Sequence, residues 1–211
     1  MINKDTKIYG SFSKTAGNKG CEFFNKAFKK YNINAIYKSF SVQNIEETVR
    51  AAKCLNFSGF AVSMPYKKQI LEYVELAPSC PSIIGAINTV VNRDGQFLGH
   101  NTDYLAAKEF MSRYNRSCVI ILGNGGYASA VKYAANRLNM NYKTITRKNW
   151  QEIFNLQGEL IYNCTPIENI KVPVSNEYID CITNTETGKE LSLIQAKYQF
   201  EIYTGLPYDP N

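Results

Sequence analysis

The chain has a single histidine in 211 residues, and its six cysteines (21, 54, 80, 118, 164 and 181) include no CxxC pair. That scarcity argues against a zinc site and a disulfide framework, so the thiols are expected to be reduced, mostly buried and inert. No apolar run approaches the roughly 20 residues that span a bilayer. The opening MINKDTKIYG has no apolar core of the kind a signal sequence carries, so a cytoplasmic protein with no membrane partner is expected. Long basic blocks interleaved with aromatics are also missing, although Lys26, Lys29 and Lys30 cluster on one expected helix and the net charge is +6. Nucleic acid is therefore not expected as a partner. A basic surface suits an anionic small molecule or a phosphorylated cofactor instead.

What is present is ordinary for a globular chain: 45% hydrophobic and 20% charged residues, enough for a sizeable core. Strand signals at 7–11, 35–40 and 60–63 alternate with helical patterns. Cys21, Phe24, Phe28 and Tyr31 recur at helical spacing, as do Ile45, Val49, Ala52 and Leu55 behind a capping box of Asn44 and Glu47. An Arg-Asp-Gly turn at 93–95 joins two strands into a hairpin, and a helix with Tyr104, Ala107, Phe110 and Met111 on one stripe follows. Polar residues 115–117 mark the expected boundary between a first domain (1–114) and a second (115–188), with a last helix (189–211) returning to the first. The fold class is α/β, a mixed-sheet domain followed by a compact nucleotide-binding one.

The second domain opens on CVIILGNGGYASA. Gly123-Asn124-Gly125-Gly126-Tyr127-Ala128 fits G-x-G-x-x-A, directly after a buried strand and directly before an alanine-rich helix, which is the context of a dinucleotide fingerprint. The first glycine permits the tight turn and the second lets backbone approach a pyrophosphate. Ala128 keeps helix and strand close, and the helix N-terminus offers amide donors. An NAD site wants an acidic residue about 20 positions on, to accept from the ribose hydroxyls. Here that region reads KTITRKNW, with no acid, and Arg147 and Lys148 follow Thr146 at the strand end. The pattern favours NADP.

Three further segments precede the glycine turn in order: AVSMPYKK, GAINTVV and GHNTDY. Together with LGNGGYASA, NCTPIE and IQAKYQFEIYTGLP they resemble shikimate dehydrogenase, whose pattern runs Asn-Val-Thr-x-Pro-x-Lys, Gly-Ala-Val-Asn-Thr, Asn-Thr-Asp. SFSKTAGNKG and AVSMP look closer to the shikimate dehydrogenase-like branch. Read alone, Lys67 is a solvated lysine at a helix start; the resemblance makes it the catalytic lysine and Asp103 its partner. It also implies that Ser63, Asn88, Asn101 and Gln195 contact substrate, that Thr165 and Gly188 meet the cofactor, and that the activity is NADP-dependent oxidation of a polyhydroxylated ring acid such as shikimate. A small-molecule substrate and a monomer or homodimer are the partners expected.

Three departures separate this chain from that pattern. The family's His-Ser-x-Ser-Pro loop, whose serines hold the substrate carboxylate, is here GNKGCEFF, with Asn18 and Gly20 at the serine positions. Only one short crossover fits between residues 147 and 159, where the family has an additional helix and strand. Glu168 stands where the family has glycine. These departures keep a second class in view, a relative that binds a metabolite or cofactor with little or no turnover.

Overall fold

The computed structural model describes residues 2–80 and 82–210. In chain order the elements are β1 (Lys7–Ser13), α1 (Lys19–Lys30), β2 (Ala35–Ser41), α2 (Ile45–Cys54), β3 (Gly59–Val62), β4 (Glu75–Leu76), β5 (Thr89–Arg93), β6 (Gln96–His100) and α3 (Thr102–Met111). They continue with β7 (Cys118–Leu122), α4 (Gly126–Arg137), β8 (Asn141–Ile145), β9 (Leu160–Asn163), β10 (Glu177–Asp180) and α5 (Glu186–Thr204). The Asn44 side chain caps α2 by accepting from the Glu47 amide at 3.2 Å, as the capping pattern requires. The hairpin between β5 and β6 turns at Asp94 and Gly95, both at positive φ.

The first sheet is mixed, in the order β2-β1-β3-β5-β6-β4, with β2, β1 and β3 parallel and β5 antiparallel to both its neighbours. Both faces are buried. Val90 joins Phe12, Ile45, Phe60 and Ile70 on one side, and its neighbour Val91 joins Tyr9, Phe24, Phe28, Phe200 and Tyr203 on the other. That two-sided burial explains why β5 carries two adjacent valines in place of strict alternation. Each fully buried Phe or Ile contributes about 1.5–3 kcal/mol relative to exposure. The second sheet is parallel throughout, in the order β10-β9-β7-β8. Its crossover between β8 and β9 is a 3₁₀ helix, Trp150–Asn155, whose Ile153 is buried in the core.

Contacts divide the chain into two units: one runs up to Thr102 and resumes at Ala196, the other is Asp103–Gln195. The breaks fall inside α3 and α5, whereas residues 115 and 189 were the sequence expectation. The reason is packing. The stripe of α3 is an internal part of the second unit, with Tyr104 edge-on to Tyr133 of α4 at 5.2 Å. Phe200 and Tyr203, late in α5, belong to the aromatic core of the first. The cysteines differ from expectation: Cys80 is buried, Cys54 is exposed and the other four are half-buried. Among the described residues no helix is long and apolar enough to cross a membrane, and no group of His, Cys, Asp and Glu could hold a metal.

Candidate functional site

In the first unit the polar residues gather where β3 ends. The Val62 amide donates to the Asn88 carbonyl at 2.8 Å, and the Ile87 amide donates to the Lys67 carbonyl at 2.7 Å, so the Ser63–Lys67 turn is tied to the start of β5. Ser63 is exposed and Lys67 half-buried, while Tyr66 between them is buried with its hydroxyl donating to the Val42 carbonyl at 2.7 Å. Burying one side chain of this turn fixes the directions of its neighbours. Lys67 thus comes from a braced turn at the C-terminal tip of a strand, where open α/β sheets bind ligands.

Asn88 is almost fully buried. Its Oδ1 accepts from the Thr102 amide at 2.7 Å and from the Thr89 hydroxyl at 3.0 Å, and its Nδ2 donates to Thr102 Oγ1 at 2.9 Å. Asn101 donates to the Ala86 carbonyl at 2.9 Å. The two asparagines therefore brace the backbone that enters α3. The network includes a residue the sequence reading passed over: Gln199, whose Nε2 donates to Thr89 Oγ1 at 2.8 Å. Gln195, one turn earlier on α5, is half-buried and falls in the second unit. The spacing of four, which puts both glutamines on one helix face, was the available signal.

The loop before α1 has a different character. Asn18 is exposed at the helix start, and its side chain makes no capping bond. A Cβ on Gly20 would lie 2.9 Å from Tyr37 Cε1 and 3.3 Å from its hydroxyl. Tyr37 is held: its ring stacks on Phe24 at 4.5 Å, and Asn25 brackets its backbone N–H and C=O, both at 2.9 Å. Burial pushes its phenol well above the usual range, so it is a neutral hydroxyl. The space that a side chain at position 20 would need is filled by this ring.

Asp103, 4% exposed, begins the second unit in the first turn of α3, where the helix dipole favours a carboxylate. In the same unit the hydroxyls of Tyr127 and Tyr162 meet at 2.9 Å. Burial pushes both phenols well up, and Asp103 nearby adds to the effect, so both remain neutral hydroxyls.

The parallel register aligns Leu122 with Ile145 and with Asn163, so the turns after β7, β8 and β9 emerge at one level. Gly123 has φ +101, a region an L side chain rarely adopts, and a Cβ there would meet Thr165 Cγ2 at 2.9 Å. Gly125 caps α4, and a Cβ on it would meet nothing within 4 Å, leaving its backbone open to a ligand. Asn124 accepts from Lys132 at 2.7 Å, and Ala128 is fully buried against the sheet. The Asn149 side chain accepts from the Thr146 amide at 2.8 Å, closing a turn whose outward residues, Arg147 and Lys148, are exposed. Gly188 is explained by packing, since a Cβ would lie 1.9 Å from the Ile182 carbonyl oxygen.

The family model of the shikimate dehydrogenase substrate binding domain matches residues 18–90. The shikimate dehydrogenase (NADP(+)) of Methanococcus maripaludis is 30% identical over 88% of this chain and 69% of its own length. The chain belongs to the shikimate dehydrogenase family. A shikimate dehydrogenase-like protein of Haemophilus influenzae is 29% identical over 97% of this chain and 93% of its own length. The solved structure of a shikimate 5-dehydrogenase-like protein is similar at a TM-score of 0.84, with 28% identity, 100% of this chain and 96% of that one covered. The chain spans 62% of the shikimate dehydrogenase (NADP(+)) of Pyrococcus furiosus. Family membership and the two-domain α/β architecture, a mixed-sheet domain with a Rossmann-like one, agree with the sequence reading.

Proposed function

We propose that the chain is an NADP-dependent oxidoreductase that interconverts shikimate, or a related polyhydroxylated ring acid, with its ketone. The observation that carries the reading is the end of β8: a turn with no acid and two exposed cations, Arg147 and Lys148, level with the glycine turn. Cations there suit a 2′-phosphate, and relatives are named for NADP(+).

The residues present fit such a cofactor. The open Gly125 backbone and the amides that start α4 would hold its pyrophosphate, and Arg147 and Lys148 its extra phosphate. Asn124, Tyr127, Thr146 and Thr165 border the same edge. When bound, the nicotinamide supplies the hydride acceptor. Removing a hydride from a carbinol carbon also requires a proton acceptor for its oxygen. Lys67 and Asp103 would handle that proton, and Ser63, Asn18 and Gln195 would contact substrate. Asn88 and Asn101 act by bracing the backbone before Asp103.

A second reading, a relative with weak or no turnover on shikimate, is favoured by one observation: Tyr37 fills the space beside Gly20. Titration with NADP+ followed by reduction at 340 nm with shikimate tests both. Binding with turnover supports the first, binding without turnover the second, and no binding overturns the cofactor assignment.

A further inference from the structure

Asp180 is a buried carboxylate, 5% exposed, at the C-terminal end of β10. Burying a carboxylate is costly unless hydrogen bonds compensate. Here Oδ1 accepts from Asn163 Nδ2 at 3.0 Å and from the Ile182 amide at 2.9 Å, while Oδ2 accepts from the Tyr178 hydroxyl at 3.3 Å. Its backbone is gripped as well: Thr187 Oγ1 accepts from the Asp180 amide at 2.9 Å and donates to the Asp180 carbonyl at 3.0 Å.

Asn163, fully buried, carries this anchorage to the neighbouring loop. Its Oδ1 accepts from the Thr165 amide at 2.9 Å and the Thr165 hydroxyl at 2.7 Å, and its Nδ2 reaches the Ile167 carbonyl at 3.2 Å. Thr165 Oγ1 in turn accepts from the Ile167 amide at 3.2 Å. Thr165 is the residue whose methyl group bounds the glycine turn at Gly123. One amide thus has both ends committed, with its oxygen shaping the 164–167 loop and its nitrogen aimed at Asp180. A carboxylate opposite that nitrogen fixes which way the amide faces.

We propose that Asp180 is a positioning residue for the cofactor: through Asn163 it sets the 164–167 loop against the glycine turn. The inference rests on the cofactor reading given above. It assigns a role to a buried residue outside the glycine turn and the β8 turn. It also explains why the last strand ends on a buried acid instead of another apolar residue.

The test compares the wild type with Asp180→Asn and Tyr178→Phe, and with Asn176→Ala as a control. Asn176 bonds Leu156, Pro173 and Glu159 in the same unit, away from the loop. The first readout is amide hydrogen exchange of residues 163–168 in cofactor-free protein, and the second is the Kd for NADP+ together with the split between KM for NADP+ and kcat. Asp180→Asn is expected to speed exchange in 163–168 and raise Kd and KM for NADP+ about tenfold, the equivalent of one lost bond to a charged group, with kcat little changed. Tyr178→Phe is expected to do the same to a smaller extent. It carries the test alone if Asp180→Asn does not fold. Asn176→Ala is expected to lower Tm while leaving exchange in 163–168 and Kd at wild-type values. Unchanged exchange and Kd in a folded Asp180 or Tyr178 variant would overturn the inference, as would equal loop loosening in the control. A wild type that binds no NADP+ overturns the cofactor reading instead, and the exchange result still decides whether Asp180 holds the loop.

Discussion

Single residues permit two direct tests, one of the proposed proton handling and one of the loop before α1. If Lys67 and Asp103 handle the proton, Lys67→Ala and Asp103→Asn are each expected to lower turnover about 10²–10⁴-fold with cofactor Kd unchanged. Steady-state kinetics beside a cofactor titration checks this, and an active Lys67→Ala protein removes the assignment. Gly20 permits the other. Because its missing side chain is replaced by the Tyr37 ring, Gly20→Ser is expected to overpack the site and cost about 1–3 kcal/mol of stability, with no gain in KM for shikimate. Chemical denaturation and a shikimate KM measure the two effects. A stable serine variant with a lower KM would show that Tyr37 yields. Legibility differed sharply at this scale. The glycine turn stands in a short motif with a mechanism attached, and Lys67 and Asp103 stand in segments that carry the family resemblance. Gln199 and Asp180 were not legible, because a buried polar residue is recognised only by its partners, and Asp180 finds Asn163 across 17 residues. Gly20 was legible as a substitution but not as a space already occupied, since it lies on α1 and Tyr37 arrives from β2.

At the scale of elements, the proposed preference for NADP+ rests on the turn after β8. Its geometry comes from Asn149, so changing the two exposed cations leaves the backbone closed. Arg147→Asp combined with Lys148→Ala is expected to reverse or abolish a preference for NADP+ over NAD+, read as the ratio of the two dissociation constants. Equal constants in the wild type would remove the basis for the NADP assignment. Many elements were legible from periodicity: β1, β2, β3, the hairpin, α1 to α4 and β7 stand close to where apolar spacing and turn residues put them. β4, of two residues, is too short to leave a periodic signal, and β10 offers only Tyr178 and Ile179 as strand formers between two acids. The boundaries the sequence suggests, near 115 and 189, differ from the contact division at Asp103 and Ala196 for a related reason. Spacing identifies an apolar stripe but not the core that receives it.

For the whole molecule, ligand linkage gives the broadest test. NADP+ at 100 times its Kd is expected to stabilise the chain by about 2.7 kcal/mol, visible as a rise in Tm by scanning fluorimetry, with a smaller rise for NAD+ at equal concentration. An unmoved Tm under those conditions would speak against any cofactor site in the second unit. The division into units has another consequence, for the order in which the protein takes shape. The Tyr9 hydroxyl bonds the Tyr203 carbonyl across 194 residues, and Phe24 and Phe28 wait on the same helix for their cover. During synthesis the strands of the first sheet leave the ribosome early yet lack one wall of their core. The second unit is meanwhile translated whole and needs nothing beyond Gln195 to complete its contacts. The part made first therefore finishes last, and for the time it takes to make some ninety residues its aromatic face is open to solvent and to chaperones.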